Sequence, residues 1–360
     1  MAAALPVNLH EYEPLARAAM SDAAWDYMAG GSGDERTLSW NRERLDALRL
    51  SPHVLRDVSS VDLRCRLLGM ELPFPVLLAP TGFQRLFHPE GELAVARGAG
   101  AAGAALVLST AATTSMEDVS AVASGPLWFQ LYVQRDRGFT RELLRRAAAC
   151  GCRAIVLTAD TPVLGARDRE QRRQLELPAG LELANLRGLP ARPAGVPTFT
   201  HGTQNPFLDP SLTWDIVAWL AGETKLPVVV KGILRADDAR RAVEHGAAAI
   251  AVSNHGGRNL DTVPASIDAL PGVVEAVAGR LPVLFDGGVR RGVDVVKALA
   301  LGATAVMIGR PYLWGLAATG AAGVERVVRL LVTELELAMA QCGAASLAEI
   351  TRDLVLDAPR

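Results

Sequence analysis

Eight short apolar runs recur along the chain, separated by alanine-rich stretches whose apolar positions repeat with helical period. Four lie in the first half, at Pro75–Ala79, Ala105–Leu108, Leu127–Tyr132 and Ala154–Thr158. Four follow in the second, at Pro227–Val230, Ala249–Val252, Pro282–Phe285 and Ala305–Ile308. They are continuous rather than alternating, which suits strands covered on both faces, as in a parallel sheet. Between them, residues 92–102, 140–149, 236–244, 292–300 and 324–341 read as helices with one apolar face. Gly103, Gly151, Gly246 and Gly302 stand where such helices end. About eight strand–helix units predict an α/β protein of the (β/α)8 TIM-barrel type rather than an open doubly wound sheet. The spacing gives one domain over 1–360, with an N-terminal helical extension at 1–70 and the barrel at 71–345. One connection breaks the rhythm: after the fourth strand, 165–210 is long, rich in Pro, Gly and Arg, and aperiodic, and is expected to be a mobile loop over the active end.

Composition narrows the partners. Lysine and arginine number 37 against 39 acidic residues, a net charge of −2, so no basic stripe exists for nucleic acid. The four cysteines form no C-x-x-C pair and are too few for a disulfide framework, which points to a reducing compartment. Glu11, Glu13 and Arg17 interrupt the start where a signal peptide would be apolar, and no apolar run reaches a membrane span; a cytoplasmic protein without a membrane partner is expected.

Chemistry in such barrels gathers at the C-terminal strand ends. Those positions carry Pro80-Thr81-Gly82, Ser109-Thr110, Gln130 with Tyr132, Thr158 with Asp160, Lys231, Ser253-Asn254-His255, Asp286-Gly287-Gly288 and Gly309-Arg310. The two glycine turns follow the last two strands, where barrels often hold a phosphate on backbone N–H groups, and Arg290 and Arg310 would add charge-assisted bonds. No G-x-G-x-x-G opens a helix, which disfavours a dinucleotide. In the run Ser253–Asp261, His255 and Arg258 flank two glycines; a base and a carboxylate fork would lie together, although a lone histidine is as often structural. Asp160 reads as a partner for His255 or as a turn residue. Arg167 reads as a second carboxylate ligand or as a solvated charge beside Arg169, Arg172 and Arg173. Lys231, after three valines, is either a Schiff-base lysine or a stabiliser of an anionic cofactor.

The run Ser253–Asp261, together with Asp286–Arg290, Gly309-Arg310, Tyr27 and Trp128–Tyr132, resembles the FMN-dependent 2-hydroxy acid oxidase and dehydrogenase family over nearly the whole chain. Glycolate oxidase, lactate oxidase and mandelate dehydrogenase belong to it. The resemblance implies FMN, with Pro80, Thr81, Gly82, Ser109, Gln130, Thr158, Lys231 and Ser253 around it and Asp286, Gly287, Gly288, Arg290, Gly309 and Arg310 on the phosphate side. It implies His255 as base paired with Asp160, Arg258 and Arg167 on the substrate carboxylate, Tyr27 and Tyr132 on its carboxyl or hydroxyl group, and a homotetramer. Ala111 stands where glycolate oxidases have tryptophan, so a larger pocket and a bulky substrate such as mandelate or 4-hydroxymandelate are expected. Gly82 stands where many oxidases have alanine, whereas mandelate dehydrogenase resembles this chain in having glycine, which bears on the electron acceptor. The loop 165–210 lacks the apolar stretch of a membrane-binding segment, so oxygen is the expected acceptor, with a dehydrogenase using a quinone as the alternative. A phosphate-binding barrel isomerase using Lys231 covalently is the reading from another class of chemistry.

Overall fold

The computed structural model describes residues 5–173, 178, 180–189 and 208–356. Eight parallel strands, β1 (Val76–Leu78), β2 (Ala105–Ser109), β3 (Leu127–Leu131), β4 (Ile155–Thr158), β5 (Val228–Ile233), β6 (Ala249–Val252), β7 (Val283–Asp286) and β8 (Ala305–Ile308), pair in sequence. The pairing of β8 with β1, through Val306↔Val76 and Ile308↔Leu78, closes the barrel. Each apolar run therefore became one strand. Alternate side chains separate into two apolar clusters. Leu77, Val107, Val156 and Leu284 point inward with several alanines around Trp128, whereas Leu78, Leu108, Phe129 and Ile155 face the helices. The alanines leave room for the indole inside the barrel.

A helix follows every strand. Gly91–Ala102, Arg137–Ala149, Ala236–Glu244 and Gly292–Ala300 lie where the periodicity put them, within a few residues. Gly103, Gly151, Gly246 and Gly302 all adopt positive φ just past these helices, a left-handed ending that spares the last carbonyls from being unpaired. Met116–Val122, Asp215–Glu223 and Ser266–Val277 were not singled out by periodicity. The first two are short, and the third carries Pro271 and Gly272 in its middle, which breaks a propensity signal. The expected 324–341 helix is longer: Arg310–Cys342 is helical apart from a break at Thr319 and Gly320, so a first segment begins directly after β8.

The N-terminal extension is helical only in its first part, at Tyr12–Ala19, Asp22–Ala29 and Arg36–Ala47. The strands Cys65–Leu67 and Met70–Leu72 then form a hairpin whose turn residues Leu68 and Gly69 both have positive φ, the tight reversal that matches strand twist. Cys65, Leu67, Met70 and Leu72 join the inward cluster and plug the barrel at the end opposite the chemistry. Of the expected 165–210 loop, Asp168–Arg173 is a short helix against Asp22–Ala29 and Ala184–Leu186 a 3-10 turn. Residues 174–177, 179 and 190–207 lie outside the described residues.

Candidate active site

The parallel register lines up polar side chains across adjacent strand ends. Ser109 on β2 is opposite Gln130 on β3, and Thr158 on β4 is opposite Lys231 on β5. The Ser109 hydroxyl donates to Gln130 Oε1 at 3.1 Å, and Gln130 Nε2 donates to Thr158 Oγ1 at 2.9 Å. These residues and Lys231 form one polar edge of a cleft whose other walls include Pro80, Thr81, Gly82, Ala111 and Tyr132.

Lys231 is buried and not alone: its Nζ lies 2.8 Å from Asp286 Oδ2 and donates to Ser253 Oγ at 2.8 Å. Burial opposes its charge, but Asp286 and Asp160 outweigh that and hold its pKa above the usual lysine value. A charged amine fits electrostatic stabilisation better than Schiff-base chemistry, which needs a free base. Ser253 does not line the cleft. It is a fully buried link, accepting from both Lys231 Nζ and the His255 backbone N–H. Lys231→Met is expected to leave the nearly buried Asp286 carboxylate without its cation and to cost roughly 3–5 kcal/mol of stability, read as a lower denaturation midpoint. A midpoint equal to wild type would show the carboxylate to be solvated there.

His255 and Asp160, 95 residues apart, meet at 3.0 Å through Nδ1 and Oδ1. Asp160 is kept ionised: burial works against it, but the His255 interaction lowers its pKa. The carboxylate accepts, so Nδ1 carries the proton and Nε2 a lone pair. Two features hold the pair. Asn259 Nδ2 donates to the Asp160 carbonyl and to Thr161 Oγ1, both at 2.8 Å. Gly232 lets Asp160 close in, since a Cβ there would stand 2.5 Å from Asp160 Cβ. His255 itself sits at φ +58°, a left-handed backbone that costs energy for a side-chain residue and is concentrated at functional sites. Burial, aided by Lys231 and Arg167, pulls its pKa below the usual histidine value despite Asp160.

Arg258 and Arg167 both line the cleft, as do Tyr27 and Tyr132. Arg258 lies 4.9 Å over the Tyr27 ring and donates from Nη1 to the Tyr27 and Gly30 carbonyls. Arg167 Nε donates to the Arg258 carbonyl, so the loop arginine is docked rather than solvated. Arg169 pairs with Glu35, and Arg173 with Asp26 and Asp22, in ion pairs at the surface. Burial pushes both tyrosines up to about 12, so their hydroxyls remain protonated donors at neutral pH. Glu170, between the two arginines, was missed by sequence reasoning; its spacing three residues after Arg167 was the available signal.

On the far side, Arg290 stacks 4.7 Å over Trp314 and Arg310 donates to the Met28, Gly256 and Gly30 carbonyls. Neither guanidinium meets a carboxylate among the described residues. Burial lowers them to about 10 and about 9, the signature of buried cations lacking an anion. At Gly309 an added Cβ would meet only Thr81 Cγ2, at 3.9 Å, so the backbone is open there. The glycine at 288 has another cause. It adopts positive φ, and a Cβ would stand 2.2 Å from the Asn41 carbonyl oxygen, so packing against the N-terminal extension by itself requires glycine there, while Gly287 and Gly288 both line the cleft. An anion-seeking pair of arginines at one end and a row of amide, hydroxyl and ammonium groups at the other match a phosphate joined to a flat polar heterocycle.

A sequence model described as FMN-dependent dehydrogenase matches residues 16–357. The chain belongs to the FMN-dependent dehydrogenase family. It is 52% identical to L-lactate oxidase of Nostoc sp. over 354 residues, 96% of each chain. It is 46% identical to glycolate oxidase of Spinacia oleracea over 351 residues, 96% of this chain and 94% of that one. Among solved structures, mandelate oxidase superposes with a TM-score of 0.91 at 42% identity, covering 98% of both chains. This family member is thus an FMN-dependent oxidoreductase of the 2-hydroxy-acid oxidase type, acting on CH–OH, and its residues fit the cofactor. Arg290, Arg310 and the Gly309 turn would hold the FMN phosphate, and Ser109, Gln130, Thr158 and Lys231 the ring. No described helix is long and apolar enough to cross a membrane.

Proposed function

We propose that this enzyme oxidises a bulky or aromatic (S)-2-hydroxy acid, such as mandelate or 4-hydroxymandelate, to the 2-oxo acid and passes the electrons to O2, giving H2O2. The observation that carries the chemistry is the His255–Asp160 pair at 3.0 Å, with a free Nε2 beside two cleft-lining arginines. Arg258 and Arg167 bind the carboxylate, and the protonated Tyr27 and Tyr132 hydroxyls donate to the carboxyl or hydroxyl oxygen. His255 Nε2 takes one proton, and Asp160 stabilises the imidazolium that results. Bound FMN supplies the two-electron acceptor. Lys231 places a positive charge at the polar edge of the cleft, where negative charge develops.

Substrate size rests on Ala111. Ala111 lines the cleft together with the apolar Phe83, Leu183, Leu186 and Leu208, and its methyl takes up little of that space. Leu183 and Leu186 reach it because the Ala184 N–H donates to the Ala112 carbonyl at 3.0 Å. A hydrophobic wall with room for a ring favours a phenyl group over hydrogen or methyl by a few kcal/mol at most. Anaerobic mixing with (S)-mandelate, (S)-lactate and glycolate is expected to bleach the flavin fastest with mandelate, and air to restore the colour promptly. Bleaching fastest with glycolate would refute the bulky-substrate reading.

A second reading, a dehydrogenase using another acceptor, rests on Gly82, a position where mandelate dehydrogenase is similar to this chain. A Cβ there would stand 3.0 Å from Ala111 Cβ and 3.1 Å from the Ala111 carbonyl oxygen, so alanine would fit only with a shift of a few tenths of an ångström. Slow recolouring in air would select it.

A further inference from the structure

His255 opens a run of three left-handed residues, with φ +58°, +64° and +74° at His255, Gly256 and Gly257. The glycines take that hand freely, but the histidine holds it only where its surroundings over-determine it. Asn254 closes the turn from within. The Gly257 N–H donates to the Asn254 backbone carbonyl at 3.0 Å and to its side-chain Oδ1 at 3.2 Å, while Asn254 Nδ2 donates to the Pro264 carbonyl at 3.1 Å. A donor on one side and a carbonyl on the other allow that amide a single orientation. Its remaining two bonds go to Asn41, in the helix Arg36–Ala47 of the N-terminal extension. Asn41 Nδ2 donates to Asn254 Oδ1 at 2.9 Å, and Asn254 Nδ2 donates back to Asn41 Oδ1 at 2.7 Å. Asn41 Oδ1 also accepts from the Ser266 N–H at 3.2 Å. The two asparagines are 2% and 4% exposed, so water offers no substitute for a lost bond.

We infer that Asn41 is a positioning residue for His255: by fixing the Asn254 amide, it holds the left-handed turn that presents the imidazole to Asp160 and to the cleft. This rests on the proposed reading of His255 as the base. Arg258, further along the same loop, has anchors of its own on the Tyr27 and Gly30 carbonyls and on Glu170. The Asn41 carbonyl against Gly288 belongs to the backbone and survives a side-chain substitution. Loss of the amide pair is therefore expected to spare carboxylate and cofactor binding and to fall on proton transfer, which is steeply sensitive to the placement of the base. A role limited to packing the helix would alter stability alone.

The test uses the FMN-loaded enzyme, comparing Asn41→Ala, Asn254→Ala, the double variant and Thr37→Val with wild type. Three quantities are read: the rate of anaerobic flavin bleaching at saturating (S)-mandelate and (S)-lactate, acetate affinity from the flavin absorbance, and the denaturation midpoint. Thr37→Val removes a different bond between the same helix and the same loop, from Thr37 Oγ1 to the Val263 carbonyl at 3.0 Å, outside the turn. Asn41→Ala is expected to slow bleaching about tenfold or more with acetate affinity within about threefold of wild type. Because Asn41 acts through Asn254, the double variant should fall no more than about twofold below Asn254→Ala. Thr37→Val should lower the midpoint and keep the rate within about twofold. A bleaching rate in Asn41→Ala within about threefold of wild type overturns the inference, as does a double variant in which the two losses multiply. An equal loss of rate in Thr37→Val overturns it too, since the cause would then be general loosening of the helix. Where Asn41→Ala fails to fold, Asn254→Ala decides: a rate near wild type overturns the inference, and a tenfold fall (about 1.4 kcal/mol) with acetate binding intact supports it. Wild type that binds acetate but is bleached by no 2-hydroxy acid would defeat the reading of His255 and the inference together, whereas normal wild-type bleaching with unaffected variants defeats the inference alone.

Discussion

Replacing His255 by glutamine is expected to slow anaerobic flavin bleaching by a 2-hydroxy acid about 10³-fold, within the range for losing a positioned general base. Asp160 occupies Nδ1, so Nε2 is the ring atom left to accept a proton, and glutamine offers an amide with negligible basicity in its place. The fold should tolerate the change, since the backbone N–H of residue 255 still reaches Ser253 Oγ. Substrate affinity is expected to hold, because both arginines keep their other partners, so the loss falls on kcat. The pH profile carries a signed consequence. His255 must be neutral to act, and burial, with Lys231 and Arg167, puts its pKa below the ordinary value near 6.5 despite Asp160. Wild-type kcat/KM should therefore be flat at neutral pH, with its acid limb below pH 6.5. Asp160→Asn removes the group that raises the histidine pKa and should move that limb further down while lowering kcat. A bleaching rate in His255→Gln within tenfold of wild type would assign the base to another group.

Arg258→Lys is expected to lower kcat/KM by about 10²-fold or more, with KM rising as well as kcat falling. The change conserves charge but not shape. The guanidinium spends Nη1 on the Tyr27 and Gly30 carbonyls and Nη2 on Glu170 while stacking over Tyr27, four contacts made at once by one planar group. An ammonium is a compact point charge and cannot reproduce that fan. The loss of the carbonyl contacts would also loosen Tyr27, so the tyrosine donor and the carboxylate fork fail together. Steady-state kinetics with (S)-mandelate and (S)-lactate measure the effect. Equal kinetics in the lysine variant would show that Arg258 holds the N-terminal segment and does not bind substrate.

Much of the barrel was legible because its strands are buried on both faces. Burial on both sides requires uninterrupted aliphatic runs such as Val228-Val229-Val230, and these stand out against alanine-rich helices of period 3.6. Glycine at helix ends was equally legible, because the left-handed ending is a local backbone demand. The hairpin at Cys65–Leu72 was not. Its strands are three residues each, too short for alternation to register, and their burial is conferred by the barrel they plug.

The site divides the same way. Its residue types were readable from strand ends, since a parallel barrel puts those ends at one mouth whatever the details of packing. By itself the sequence determined the barrel, the set of polar groups at that mouth, and, through many ordered motifs, the family and its cofactor. Only the tertiary structure decided the partnerships. Lys231 is paired with Asp286; Arg167, open to a reading as a solvated charge, is docked on the Arg258 carbonyl; Gly288 is packed against the Asn41 carbonyl as well as lining the cleft. Glu170, hidden in a run of charges, pairs with both Arg167 and Arg258. The physical reason is common to these cases. Composition and period report what one segment needs from its surroundings, whereas the energy of a buried charge depends on which distant group the closed barrel brings within about 3 Å.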